Sequence, residues 1–131
     1  MPFKEDCLRY LLIAIGGALG STARFWVGST VNARFGSKFP CGTLAINISA
    51  CVLLGLSLTV LERRSALDPG WRFFLPIGFV GAYSTFSTFQ WELFSSMEER
   101  TFILAGANLS LSVVLGFAAV WCGARLGRAF F

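Results

Sequence analysis

The residues with the most chemical capacity sit where this chain is otherwise apolar. The stretch Gly81-Ala-Tyr-Ser-Thr-Phe-Ser-Thr-Phe-Gln-Trp-Glu92 puts hydroxyls, an amide and a carboxylate inside a hydrophobic run. Wound at 100° per residue, Ser84, Thr88, Glu92 and Thr85 fall within about 100° of one another and make one polar stripe. Phe86 and Phe89 form an aromatic arc beside it. A Phe pair alone is packing, but ring edges carry partial positive charge and can face an anion. Further back, Thr43 and Asn47 stand at i, i+4 and share a helix face. Their two readings are interhelical hydrogen bonding and an NH₂ donor aimed at an anion. Asn108 and Ser112 repeat that spacing near Ser110 and could extend the track. Arg24 is either an arginine snorkelling to an interface or a fixed positive charge in a vestibule. Together these groups are neutral donors and hydroxyls with one cation. A cation path would carry several acids, so the set favours a small anion.

Groups of this kind need elements to hold them, and composition says which. The chain has 131 residues, 55% of them hydrophobic and only 14% charged, with 14 Phe and 4 Trp. Its mean hydropathy is +0.67. A soluble protein this small could not hide so much apolar surface. Four segments, about 10–31, 41–61, 72–94 and 101–124, each meet the roughly 20 residues that a helix needs to cross a bilayer. We expect an all-α integral membrane protein, one domain over 1–131. The first span is too long, and is interrupted too late by Arg24, to read as a removable signal peptide. Short connections make neighbouring spans antiparallel: 32–40 carries Gly36 and Pro40, and 62–70 ends in Asp-Pro-Gly.

Within the third span, Pro76, Gly78 and Gly81 precede Ser84 and Thr85. Proline removes a backbone donor and glycine weakens a helix. A break near Gly81–Ser84 would free carbonyls near mid-membrane, which are tolerated only where protein or an ion satisfies them. The alternative is a satisfied kink. Small residues (Gly16, Gly17 and Gly20 on the first span; Gly106, Ala107, Ser110 and Gly116 on the last) permit close helix approach. Four short helices enclose little interior, so a dimer or larger assembly is expected.

Several functions are excluded. The net charge of +4 comes from bases in short loops, as flanks of membrane spans rather than as a nucleic-acid surface. The chain has no His, and Cys7, Cys41, Cys51 and Cys122 lack metal-type spacing. Hydrolytic chemistry has almost no side chains to use, so an enzyme is not expected.

The motifs resemble those of the Fluc/CrcB fluoride channels along nearly the whole chain. Gly16-Gly-Ala-Leu-Gly-Ser-Thr-Ala-Arg-Phe25 is similar to that family's GGxxGxxxR[YF]. Gly42-Thr-Leu-Ala-Ile-Asn47 is similar to its GTLxxN. Gly78-Phe-Val-Gly-Ala-Tyr-Ser-Thr-Phe-Ser-Thr-Phe89 is similar to its GxxGGxTTFSTF, with the acid following at Glu92. Departures are Ala82 for a glycine, Ser84 for a threonine and Ala50 for a glycine after the asparagine.

The resemblance implies a passive, fluoride-selective channel that exports cytoplasmic fluoride. It implies an antiparallel, dual-topology homodimer in the lipid bilayer of a prokaryotic plasma membrane, the inner membrane in a Gram-negative cell. Two pores would be lined by Phe86, Phe89, Asn47, Thr85, Ser87, Thr88 and Glu92, with Asn108 and Ser112 on the fourth span and Arg24 in the vestibule. A structural sodium ion would sit at the dimer centre on the backbone carbonyls of Gly81 and Ser84. The rival is a small proton-coupled multidrug exporter of similar size and topology. That chemistry expects a carboxylate in the middle of the first span, and 10–23 holds none.

Overall fold

A computed structural model describes residues 2–36, 38–64 and 66–130, all helices and their connections. The order is α1 (Pro2–Phe35), α2 (Cys41–Arg63), α3 (Gly70–Arg72), a π-helical segment (Phe73–Val80), α4 (Gly81–Tyr83), α5 (Phe86–Glu98) and α6 (Phe102–Phe130). Among the described residues, three helices, in α1, α2 and α6, are long and apolar enough to cross a membrane. The remaining run, from α3 to α5, is built from short pieces.

Helix ends follow local chemistry. α1 stops at Gly36, whose φ of 79° is the left-handed conformation that glycine adopts at low cost. Its N–H bonds back to the Asn32 carbonyl at 3.0 Å. α2 starts after Pro40, which supplies no side-chain cap. Asn32 supplies one instead, its Oδ1 accepting from the Gly42 N–H at 3.0 Å. Asp68 accepts from the Gly70 N–H at 2.6 Å and starts the third run. Pro76, inside the π-helical segment, has no N–H to donate, and the ladder there widens.

The long helices outrun the apolar stretches that reveal them. α1 extends from Pro2 to Phe35 rather than over 10–31, and α6 runs to Phe130 rather than 124. Hydropathy marks the portion suited to hydrocarbon; the polar ends continue the helix outside it.

Two pairings build the bundle. α1 lies along the π-helical segment and α4, while α2 lies along α6. Glycines set both approaches. A methyl group on Gly16 or Gly20 would collide with the carbonyls of Phe74 or Phe79, and one on Gly55 or Gly123 with those of Val120 or Val52. Gly106, by contrast, faces open space, and the close contacts of α6 fall at Gly123 and Gly127. The core is small: Ile46, Ala50, Val80 and Tyr83, with Ala23, Val27, Leu53, Leu54 and Phe79 around them. Outside it, large apolar side chains such as Phe25, Trp26, Ile103 and Phe117 are exposed, as lipid or a second chain requires.

Candidate functional site

The third run stops being a helix at two residues. The Ser84 N–H closes the last turn on the Val80 carbonyl at 3.0 Å. Ser84 then turns extended (φ −70°, ψ 158°), and so does Thr85 (φ −147°, ψ 107°). The Thr85 N–H, which would otherwise bond to Gly81, donates to the Asn47 Oδ1 at 2.9 Å. The Asn47 amide in turn donates to the Thr85 carbonyl at 3.2 Å. One side chain on α2 thus satisfies both main-chain groups of Thr85. Such groups cannot be left unpaired inside a bilayer.

Thr85 also starts the next helix. Its buried hydroxyl accepts from the Thr88 N–H at 3.3 Å and donates to the Thr88 Oγ1 at 2.8 Å. Beneath the break, the Tyr83 and Ser49 hydroxyls lie 2.9 Å apart and share a hydrogen bond. Ala82 lies within the helical turn Gly81–Tyr83, so that turn forms without the second glycine of the motif.

Arg24 lies well inside α1, which runs on to Phe35. Its guanidinium reaches the Ser84 carbonyl, long at 3.5 Å. Arg24 lines a hollow of about 470 Å³ with Ser21, Ser29, Asn32, Thr43, Thr85 and Thr88. A second hollow, about 290 Å³, is lined by Lys38, Glu92, Ser95 and Ser96, and again by Asn32. Between the two, the Thr43 hydroxyl donates to the Glu92 Oε1. The other oxygen of Glu92 is buried and has no hydrogen-bond partner among the described residues. Asn32, Thr43 and Glu92 therefore join two polar chambers.

Phe86 and Phe89 lie together, ring centroids 6.2 Å apart and tilted by 50°. Phe89 is buried at 7% exposure while Phe86 is 73% exposed, so one ring is held by the chain and the other projects from it. Ser87 is exposed beside them. Asn108 is buried at 2% exposure, and its Oδ1 accepts from the Ser112 hydroxyl at 3.3 Å. Among the described residues, no hydrogen bond joins that pair to the groups around Thr85.

Ser21, Ser29 and Asn32 are lining residues that the motifs did not single out. Their signal was available: with Arg24 and Phe25 they recur at three- and four-residue spacing on one face of α1.

Known proteins resemble this chain over most of its length. The family described as CrcB-like protein, Camphor Resistance (CrcB), matches residues 11–124. A Solibacter usitatus protein called a fluoride-specific ion channel FluC is 46% identical over 121 residues, covering 92% of this chain and 99% of its own. One of the same name from Acidobacterium capsulatum is 45% identical, covering 92% and 97%. Another, from Rhodospirillum rubrum, is 40% identical, covering 88% and 92%.

Proposed function

We propose, from the premise that this chain belongs to the CrcB-like family, that it is a fluoride-specific ion channel of a prokaryotic plasma membrane. It is a channel and not an enzyme. The observation that carries the reading is the 46% identity, over 92% of the chain, to a protein named for fluoride conduction. The site chemistry supports it. Fluoride is small and strongly hydrated, so a path must replace its water with donors. The hydroxyls of Ser87 and Thr88 are exposed, and Asn47 has a second amide hydrogen beyond the one given to Thr85. Arg24, in the larger hollow, raises the local anion concentration at the entrance.

Conduction passes the rings of Phe86 and Phe89, whose polarised edges face the anion. Glu92, bonded to Thr43, stands between the chambers and carries a proton-accepting oxygen beside the path. Asn108 and Ser112 extend the track on α6. The channel lets fluoride leave the cytoplasm down its gradient.

The active unit is an antiparallel homodimer inserted in both orientations, with two pores. The exposure of Phe86 supports a second copy over that face, since a lone chain leaves half of the ring pair uncovered. A structural sodium ion fits the donor set. Because Thr85 directs its N–H to Asn47, the Gly81 carbonyl lacks its usual helical donor, and the Ser84 carbonyl receives only the long contact from Arg24. Carbonyl oxygens suit a hard cation, and two chains would bring Gly81 and Ser84 twice. When bound, sodium supplies positive charge that offsets repulsion among converging carbonyls.

The test uses purified protein in liposomes, with fluoride and chloride efflux read by ion-selective electrodes. Rapid fluoride loss without chloride loss is expected. Phe86→Ile and Phe89→Ile should each suppress fluoride efflux while the dimer persists on size exclusion. Normal efflux in both variants removes the rings from the path, and no fluoride efflux from the wild type removes the channel assignment.

A further inference from the structure

The two polar hollows meet at Asn32, Thr43 and Glu92, and each hollow has a cation of its own. Arg24 lines the larger and Lys38 the smaller. An anion that moves from one to the other leaves the first positive charge before it gains the second, and it passes a carboxylate on the way. An anion stripped of water there with nothing to bond to would face a barrier. The crossing needs a hydrogen-bond donor.

Of the three side chains at the junction, two have no hydrogen to give. The Thr43 hydroxyl commits its hydrogen to the Glu92 Oε1. An ionised Glu92 only accepts. Asn32, in the last turn of α1, is the exception. It lines both hollows. Its Oδ1 accepts from the Gly42 N–H at 3.0 Å. A main-chain N–H can bond only to the oxygen of a carboxamide, so this contact fixes which way the amide is turned. Gly42 permits the close seat: a methyl group there would lie 2.7 Å from the Oδ1 and 3.0 Å from the Nδ2. The NH₂ keeps both of its hydrogens, and among the described residues no hydrogen bond takes either. Asn32 is exposed, so those hydrogens are accessible.

We infer that Asn32 is an anion-binding residue of the path, its Nδ2 holding the ion as it crosses between the Arg24 and Lys38 hollows. The assignment rests on the channel reading above and adds a donor to it that the motifs do not include. Within one amide the oxygen positions and the nitrogen binds, and substitution can separate the two.

Asn32→Asp keeps an oxygen for Gly42 and removes both amide hydrogens; Asn32→Ala removes the oxygen as well. Each is reconstituted in liposomes for fluoride efflux by electrode, and each is melted in detergent. Asn32→Asp should melt with the wild type and pass fluoride roughly tenfold more slowly, as loss of a hydrogen bond to a charged group implies. It also adds a negative charge. Efflux is therefore repeated with the ionic strength raised by a non-permeant salt, which screens exposed charges but restores no donor. The defect should persist. Asn32→Ala should be as slow and melt lower. Wild-type efflux in either variant would leave Asn32 a helix cap and overturn the assignment. Recovery of Asn32→Asp at high salt would reduce the effect to charge repulsion and overturn it too. A wild type that passes no fluoride overturns the channel reading along with this one, whereas a conducting wild type beside an unimpaired variant overturns this one alone.

Discussion

Asn47 meets Thr85 with a donor and an acceptor at once, which a carboxamide can do and an ionised carboxylate cannot. Asn47→Asp keeps shape and acceptor but gives up the donor; Asn47→Leu gives up both. Each leaves part-buried main-chain groups unpaired, at about 1–3 kcal/mol for a lost partner. Thermal unfolding in detergent should rank the wild type above Asn47→Asp, and Asn47→Asp above Asn47→Leu. Equal melting temperatures would mean that the break is held by something else. From the sequence, spacing alone could place Thr43 and Asn47 on one face but could not say what either would touch. The structure assigns Asn47 to the break and Thr43 to Glu92. Arg24 was legible as a charge within a span, though not as a neighbour of Ser84, because that contact bridges sixty residues of sequence.

Glycine placement governs how the helices meet. Gly55→Ala and Gly123→Ala each drive a methyl group into a facing backbone carbonyl. Overpacking of that kind costs about 1–3 kcal/mol. Gly106→Ala meets open space and should be neutral or gain up to about 1 kcal/mol of helix propensity. Melting curves of the three variants separate the cases; a Gly123→Ala protein as stable as Gly106→Ala would contradict the close α2–α6 approach. Apolar length made α1, α2 and α6 legible in the sequence. The residues Pro76, Gly78 and Gly81 signalled an irregular third run. Its π-type widening was not legible, because proline removes one donor without specifying how the ladder reforms. Nor could small-residue spacing tell Gly106 from Gly123, since both look alike until a partner helix is present.

At the scale of the molecule, the exposed thiol of Cys7 near one end of α1 offers a report on insertion. With Cys41, Cys51 and Cys122 changed to Ser, a membrane-impermeant maleimide added outside intact vesicles should label about half of the chains if both orientations are populated. Complete or absent labelling would overturn dual topology. The unequal helices carry one more consequence. At 1.5 Å per residue, the 34 residues of α1 span about 51 Å and the 23 of α2 about 35 Å, against a hydrocarbon slab of ~30 Å. α2 nearly matches the slab, while α1 must overhang it or lean. Because the apolar stretches 10–31 and 41–61 are nearly equal in length, the surplus of α1 is polar helix that stands clear of the hydrocarbon rather than apolar length to be taken up by tilt.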